Sequence, residues 1–401
     1  MGRPPAAGLV ESICNEASQT TDLDDFGDDW FLEPLAAWAE DLFQPNLNDF
    51  GRRFLRTLAV RDVARRLRVL ATLRDNPEIA EVPIPPILYI TGMERSGTTL
   101  LHNLLALHPR ARPFRRWELM EPVPPPEAAI YDTDPRSAKV QASIGPLRGS
   151  MLEHMHWVNA DDPEECVWGY IDAVSMLGQS ASICMPAWRA FLAGADFTPV
   201  FEHYRRLVQL LLWKHPVPPG GFLVLKAPQI GRSIASMAAV FPEAIFVVTD
   251  RDPFRCIVSM AVLGEAIVEP FCVENPISND GANDRLALQM TCPKLEAIAA
   301  FTTSTPERVL HIGYPTLLSN SAGTASAIFD AVGEPAADTA PAVEAFLAAQ
   351  RAGKRAAPPR ELDSMGYVRD VVWVEPAIAS YCERFGIVPE RTRLTGGGPP
   401  G

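Results

Sequence analysis

Four short apolar runs stand out along the chain: Ile87–Ile90, Phe222–Leu225, Ala244–Thr249 and Val309–Ile312. They are rich in strand formers and show no regular polar alternation, the pattern of strands covered on both faces. Pro85 and Pro86 mark the start of the first. A weaker run, Ala111–Arg116, fits one more strand, and the Pro-rich EPVPPPEAA after it excludes helix or central strand. After each strong run the period lengthens to that of a helix. Leu100, Leu101, Leu104, Leu105 and Leu107 follow the first, and helices are expected over Ile230–Phe241, Phe254–Leu263 and Tyr314 to Val332. Strands alternating with helices at this spacing predict an α/β fold, a parallel β-sheet flanked by helices with right-handed crossovers. Ligands of such sheets sit beyond the carboxyl ends of the strands.

Outside this region the pattern changes. Residues 1–20 carry no clear periodicity and are expected to fray. Thr21–Phe43 is acidic and then amphipathic, with Trp30, Leu35, Trp38 and Leu42 as its apolar members. Gly51–Arg74 predicts a helix with Leu55, Ala59, Val63, Leu67 and Leu70 on one stripe. Its other face is crowded with arginines, among them Arg65 and Arg66. A solvated face paired with the preceding acids is expected there, ahead of a lid over an anionic substrate. Residues 135–215 read as mainly helical. The Gly/Pro-rich end, 391–401, reads as disordered. The expected organisation is an N-terminal helical extension over 1–80, an α/β domain over 81–390 and a tail over 391–401.

Polar residues at the strand ends carry the candidate chemistry. Gly92 to Thr99 spells G-x-x-x-x-G-T-T between a strand and a helix. A helix starting at Thr98 aims its free N–H groups and positive dipole end into the turn, which makes an anion site. A triphosphatase loop has Lys where Thr98 stands. The nearest cation here is Arg95, so the turn suits a short phosphate-bearing group better than a magnesium triphosphate. Arg251 follows another strand, and Ser259 lies two helical turns further on. Both can reach one phosphate, or Arg251 can pair with Asp250 or Asp252. Lys226 ends a third strand, where a buried ammonium needs an anionic partner.

The stretch MERSGTTLLHNLLALHP resembles the 5′-phosphosulfate loop of the sulfotransferases, whose donor is 3′-phosphoadenosine 5′-phosphosulfate (PAPS). It is most similar to the bacterial-type group with P-R-S-G-T-T, with Glu94 in place of the usual Pro. R-D-P followed by Ser259 resembles the family's 3′-phosphate site. Lys226-Ala-Pro resembles its K-S-P motif, with Ala227 in place of Ser. The resemblance covers about residues 85–390 and implies a P-loop-like sulfotransferase fold with an N-terminal helical extension. It implies that Arg95, Ser96, Gly97, Thr98 and Thr99 hold the 5′ group, that Arg251 and Ser259 hold the 3′-phosphate, and that Lys226 stabilises the leaving oxygen. Glu118, after the second strand, holds the position of a family Glu base. Acids after a strand also cap helices, and His154 and His156 are rival bases. Asp161-Asp162-Pro163-Glu164-Glu165 reads as a helix start, and its D-P-E-E resembles a run that recurs in the group, where it is expected to border the acceptor pocket. Tyr314 matches a family Tyr before the next helix, either in the core or beside the donor. Arg351, Lys354 and Arg355 match the family's basic C-terminal segment loosely, and a solvated loop is expected.

The implied activity is transfer of a sulfuryl group from PAPS to a hydroxyl, or less readily an amine, of a small-molecule, lipid or carbohydrate acceptor, without a metal. A P-loop nucleotide kinase and a non-catalytic nucleotide-binding protein are the alternatives. Composition narrows this further. A net charge of −13 and a pI near 5.1 argue against a nucleic-acid surface. The seven cysteines form no C-x-x-C pair, which argues against a zinc site or a disulfide framework and fits a reducing, cytoplasmic setting. No apolar run of about 18 residues is present, so no membrane span is expected. The apolar, Trp-bearing 135–215 region favours a lipid, sterol or aromatic alcohol over a charged glycan.

Overall fold

The computed structural model describes residues 5–145, 159–172, 185–274, 282–334, 339–353 and 369–390. Strands β1 (Ile87–Gly92), β2 (Ala111–Pro113), β3 (Phe222–Lys226), β4 (Ala244–Asp250) and β5 (Val309–Gly313) form one parallel sheet in the order β2-β3-β1-β4-β5. The apolar runs are continuous because the sheet is sandwiched between two cores. Ile87, Tyr89, Leu223, Leu225, Phe246 and Val248 face one, and Leu88, Ile90, Phe222, Val224 and Val247 face the other. Helix α4 (Thr98–Leu105) buries Leu101, Leu104 and Leu105 in the second core. Truncating such a leucine to Ala costs about 2–5 kcal/mol.

The register decides where the polar residues emerge. Ile90 pairs with Lys226, Gly92 with Thr249 and Asp250 with Gly313. The residues that follow these strands (Met93, Ala227, Arg251 and Tyr314) therefore leave the sheet along one edge. Helix α5 (Pro253–Val268) starts right after β4, with Asp252 accepting from the Phe254 N–H at 2.9 Å. Beyond β5, one long helix is replaced by two, Tyr314–Ser319 and Ser321–Ala331. Asn320 ends the first and caps the second by accepting from the Gly323 N–H.

The amino-terminal region corrects two expectations. Residues expected to fray form α1 (Pro5–Thr21), with Ile13 and Ala17 fully buried. Leu9, Val10 and Cys14 pack beside them at helical spacing, a short mixed stripe that is a weaker signal than a run of leucines. Helices α2 (Leu32–Asp41) and α3 (Asp49–Asp75) follow, and their apolar faces join the first core. The arginine face of α3 is not uniformly solvated. Arg65 and Arg66 are buried. Arg65 donates to the carbonyls of Trp168 and Gly169, each at 3.0 Å, and Arg66 donates to that of Phe26 at 2.8 Å while lying over the rings of Trp30 and Phe31. These bonds, together with the ion pair from Arg65 to buried Asp172 at 3.6 Å, compensate the burial of two charges there. Near the surface Arg74 pairs with Asp25 of the preceding acidic segment, as expected, and Arg56 pairs with Glu16 of α1.

Candidate active site

Three turns at the edge of the sheet make up the site. The first joins β1 to α4. Gly92 and Gly97 have φ of +131° and +100° there, and Arg95 is a non-glycine residue at +69°. Gly97 also meets a close neighbour, because a Cβ there would lie 2.8 Å from the Tyr314 ring. The turn is fastened from inside. Ser96 is fully buried, and its hydroxyl donates to the Met93 carbonyl and bonds to Thr249. Ser96 thus shapes the loop with its side chain and faces away from the mouth. The N–H groups of Thr98, Thr99 and Leu100 have no acceptor within α4, the general arrangement of an anion-accepting helix start.

The second turn follows β4, and it meets the first. Arg251 donates to the Arg95 carbonyl at 2.8 Å, and the Arg95 guanidinium donates through Nε to Ser259 on α5 at 3.0 Å. Arg95, Arg251 and Ser259 are therefore one cluster, and the side chain of Arg95 belongs to the second cradle. These contacts also hold Arg95 in its left-handed conformation. The Tyr314 ring lies between the two cradles: Arg251 stacks on it, 4.1 Å from the centroid, and Gly97 packs on its edge.

The third turn follows β3. The Lys226 side chain is only 1% exposed. Its ammonium donates to Glu165 at 2.7 Å and to the Thr99 hydroxyl at 3.3 Å. Gln229 donates to the other oxygen of Glu165 at 2.7 Å. Below them His102 is buried, with Nε2 donating to the Val224 carbonyl. Burial first, then the nearby Lys226 charge, push its pKa down to about 3, so it is neutral.

Glu165 arrives from a distance along the chain. The segment 160–164 pairs with 114–117 just past β2: Trp117 N–H donates to Ala160, Arg116 N–H to Asp162, and Glu164 N–H to Phe114. Glu164 then pairs with buried Arg116, and Glu165 with Lys226. A short 3₁₀ helix, Cys166–Tyr170, follows the four-residue acidic run. The α3 arginine Arg65 grips that helix, and Asp172 beyond it pairs with His203 at 3.1 Å on the helix Thr198–Trp213.

Glu118 lies elsewhere. It is fully buried in the short helix Arg116–Met120. Its Oε1 accepts from the Arg115 N–H at 2.8 Å and from the Tyr131 hydroxyl, and its Oε2 accepts from Arg112 at 2.9 Å. That is a helix cap closed by an ion pair. His154 and His156 fall outside the described residues, as do Lys354 and Arg355.

The chain matches the model of the sulfotransferase family over residues 86–338. It belongs to that family. Among solved structures it is similar to the sulfotransferase STF9 from Mycobacterium avium, with a TM-score of 0.83 and 24% identity over 94% of this chain and 97% of that one. It is also similar to STF1 from Mycobacterium tuberculosis H37Rv, with a TM-score of 0.77 and 22% identity over 94% and 98%. No functionally curated protein matches the sequence. The expected fold and enzyme class therefore hold. No described helix of this sulfotransferase is long and apolar enough to cross a membrane. The described residues hold no group of three or more His, Cys, Asp or Glu side chains that could take a metal ion.

Two acids of the site were not expected as partners of its cations. Glu165 sits on Lys226, and Glu390, eleven residues before the last residue Gly401, sits on Arg251. The D-P-E-E run signalled the first weakly. Nothing local signalled the second.

Proposed function

We propose that this enzyme transfers a sulfuryl group from PAPS to a hydroxyl-bearing, predominantly apolar acceptor, with Glu165 as the proton acceptor. The observation that carries this reading is the meeting of Lys226, Thr99 and Glu165 at the mouth of the β1–α4 turn. PAPS supplies a sulfuryl group activated by its phosphosulfate anhydride. The loop N–H groups and Thr98 and Thr99 hold its 5′ end, and Arg251, Ser259 and Arg95 hold its 3′-phosphate.

The roles follow from charge. As the acceptor oxygen bonds to sulfur, the bond from sulfur to the bridging oxygen breaks and charge grows on that oxygen. Lys226 meets it, a stabilisation that mutagenesis in other enzymes puts at roughly 10²–10³ in rate for a single donor. Lys226 thereby turns from Glu165 to the leaving oxygen, and Glu165 takes the acceptor's proton. The products are the sulfated acceptor and 3′,5′-ADP. Glu118 is a poor choice for the base, because a proton could reach it only by breaking its bonds to Arg112, Arg115 and Tyr131. Ala227, fully buried, offers no hydroxyl, which leaves Lys226 and Thr99 as the side chains nearest that oxygen.

Calorimetric titration with 3′,5′-ADP and, separately, with ATP and magnesium tests the donor. Binding of 3′,5′-ADP without metal is expected. Binding of magnesium-ATP alone would overturn the reading in favour of phosphoryl transfer.

A further inference from the structure

The carboxyl-terminal segment is strapped over the β4 turn at three successive residues. Helix Pro376–Phe385 ends at Gly386, with φ +64°, and the Ile387 N–H returns to the Cys382 carbonyl at 2.9 Å. The chain then runs to Glu390. Asp250 accepts from the buried Tyr381 hydroxyl at 2.8 Å, Arg251 holds the Glu390 carboxylate, and Asp252 accepts from the Glu390 N–H at 2.7 Å.

The middle contact bears on function. Arg251 engages Glu390 through two nitrogens, Nε at 2.7 Å and a terminal nitrogen at 3.1 Å. Its other terminal nitrogen is on the Arg95 carbonyl, and its face is on Tyr314. The two-pronged edge of a guanidinium is the edge that binds a phosphate, and here a carboxylate of the same chain covers it.

Building on Arg251 as a 3′-phosphate residue, we infer that Glu390 is a built-in competitor at the donor site: it occupies Arg251 in the unliganded enzyme, and a nucleotide gains that contact only by displacing it with a 3′-phosphate. A phosphate monoester carries about −1.5 to −2 at neutral pH, against −1 for the carboxylate. It can displace Glu390, whereas a ribose hydroxyl leaves the ion pair closed. Tyr381 keeps the helix docked, so only Ile387–Glu390 must move. The competitor is tethered and acts at an effective concentration in the millimolar range, so its removal is felt at any protein concentration.

The test is calorimetric titration of the full chain, wild type and Glu390→Gln, with 3′,5′-ADP and with 5′-AMP. Removing the charge should tighten 3′,5′-ADP by about tenfold, equivalent to about 1.4 kcal/mol, and leave 5′-AMP within about twofold. Unchanged binding of 3′,5′-ADP, or equal tightening of both, overturns the inference. Arg251→Ala separates this from the reading beneath it. Loss of the preference for 3′,5′-ADP keeps Arg251 as the phosphate residue, so that a failed Glu390→Gln result then counts against Glu390 alone. A retained preference overturns both. Hydrogen exchange on the wild type needs no variant. The Glu390 amide should exchange faster with 3′,5′-ADP than with 5′-AMP, and equal exchange would contradict the displacement.

Discussion

Lys226→Met separates a structural ion pair from a catalytic one. Methionine is close in length and fills the same buried channel, so the main loss is charge. The change leaves the Glu165 carboxylate, 15% exposed, with Gln229 as its remaining donor among the contacts described above. Breaking one side of a buried pair costs about 3–5 kcal/mol. The retained Gln229 bond and the partial exposure place this one near the lower end, about 3 kcal/mol. In a chain of 401 residues that corresponds to a fall in melting temperature of roughly 3–5 °C. Replacing both partners, Lys226→Met with Glu165→Leu, removes the unpaired charge, and most of the loss should return, because a buried pair and an apolar pair are often of similar stability.

Catalysis should follow a different course. Both the single and the double variant lose the cation at the leaving oxygen, so turnover of PAPS should fall by at least roughly 10²–10³ in each, and no less in the double variant, which also lacks the proposed proton acceptor. Affinity for 3′,5′-ADP, measured by calorimetry, should fall by no more than about tenfold, since Arg251 and the loop N–H groups remain. Thermal melting, turnover and calorimetry on the three proteins give the full comparison. Recovery of turnover together with stability in the double variant would show that the pair is only structural. An equal loss of turnover and of 3′,5′-ADP affinity in Lys226→Met would show that Lys226 only binds the donor.

Glu118→Gln and Glu165→Gln should differ in kind. The first weakens a buried cap and an Arg112 pair, lowering stability by about 1–3 kcal/mol while turnover per folded molecule stays within a few-fold. The second should cut turnover by roughly 10²–10⁴ with a smaller stability change, and the opposite ranking in melting and rate assays would return the base to Glu118. His102 predicts an acid limb in stability. Its folded pKa, about 3, lies below its unfolded value of about 6.5. The unfolded chain therefore binds the extra proton across that window, and stability falls as pH drops from about 6.5 towards 3. Urea unfolding across this range should show a shallower slope for His102→Gln, and an unchanged slope would place the acid sensitivity elsewhere.

The amino-acid sequence by itself determined whatever is written in neighbouring residues. β1, β3, β4 and β5 were legible because burial on both faces forces continuous apolar runs, and the β1–α4 turn was legible because its glycines, hydroxyls and following leucines are contiguous. The order of Lys226 and Arg251 at strand ends was legible for the same reason. Glu118 shows the limit of such reading, since a base and a helix cap share one local pattern, and its bonds to Arg112 and Tyr131 emerge only in the fold. Tyr314 likewise needed its place between Gly97 and Arg251.

Tertiary structure decided which charge meets which. Lys226 and Glu165 are 61 residues apart, Arg251 and Glu390 are 139 apart, and Arg95 and Ser259 are 164 apart. An ion pair needs a few ångströms and imposes no spacing on the sequence, so helical or strand periodicity carries no record of it. The burial of Arg65 and Arg66 went unread for the same reason, because the carbonyls that satisfy them lie in other loops. Local chemistry set the strands and the anion turn, while long-range packing set the partners of every cation in the site.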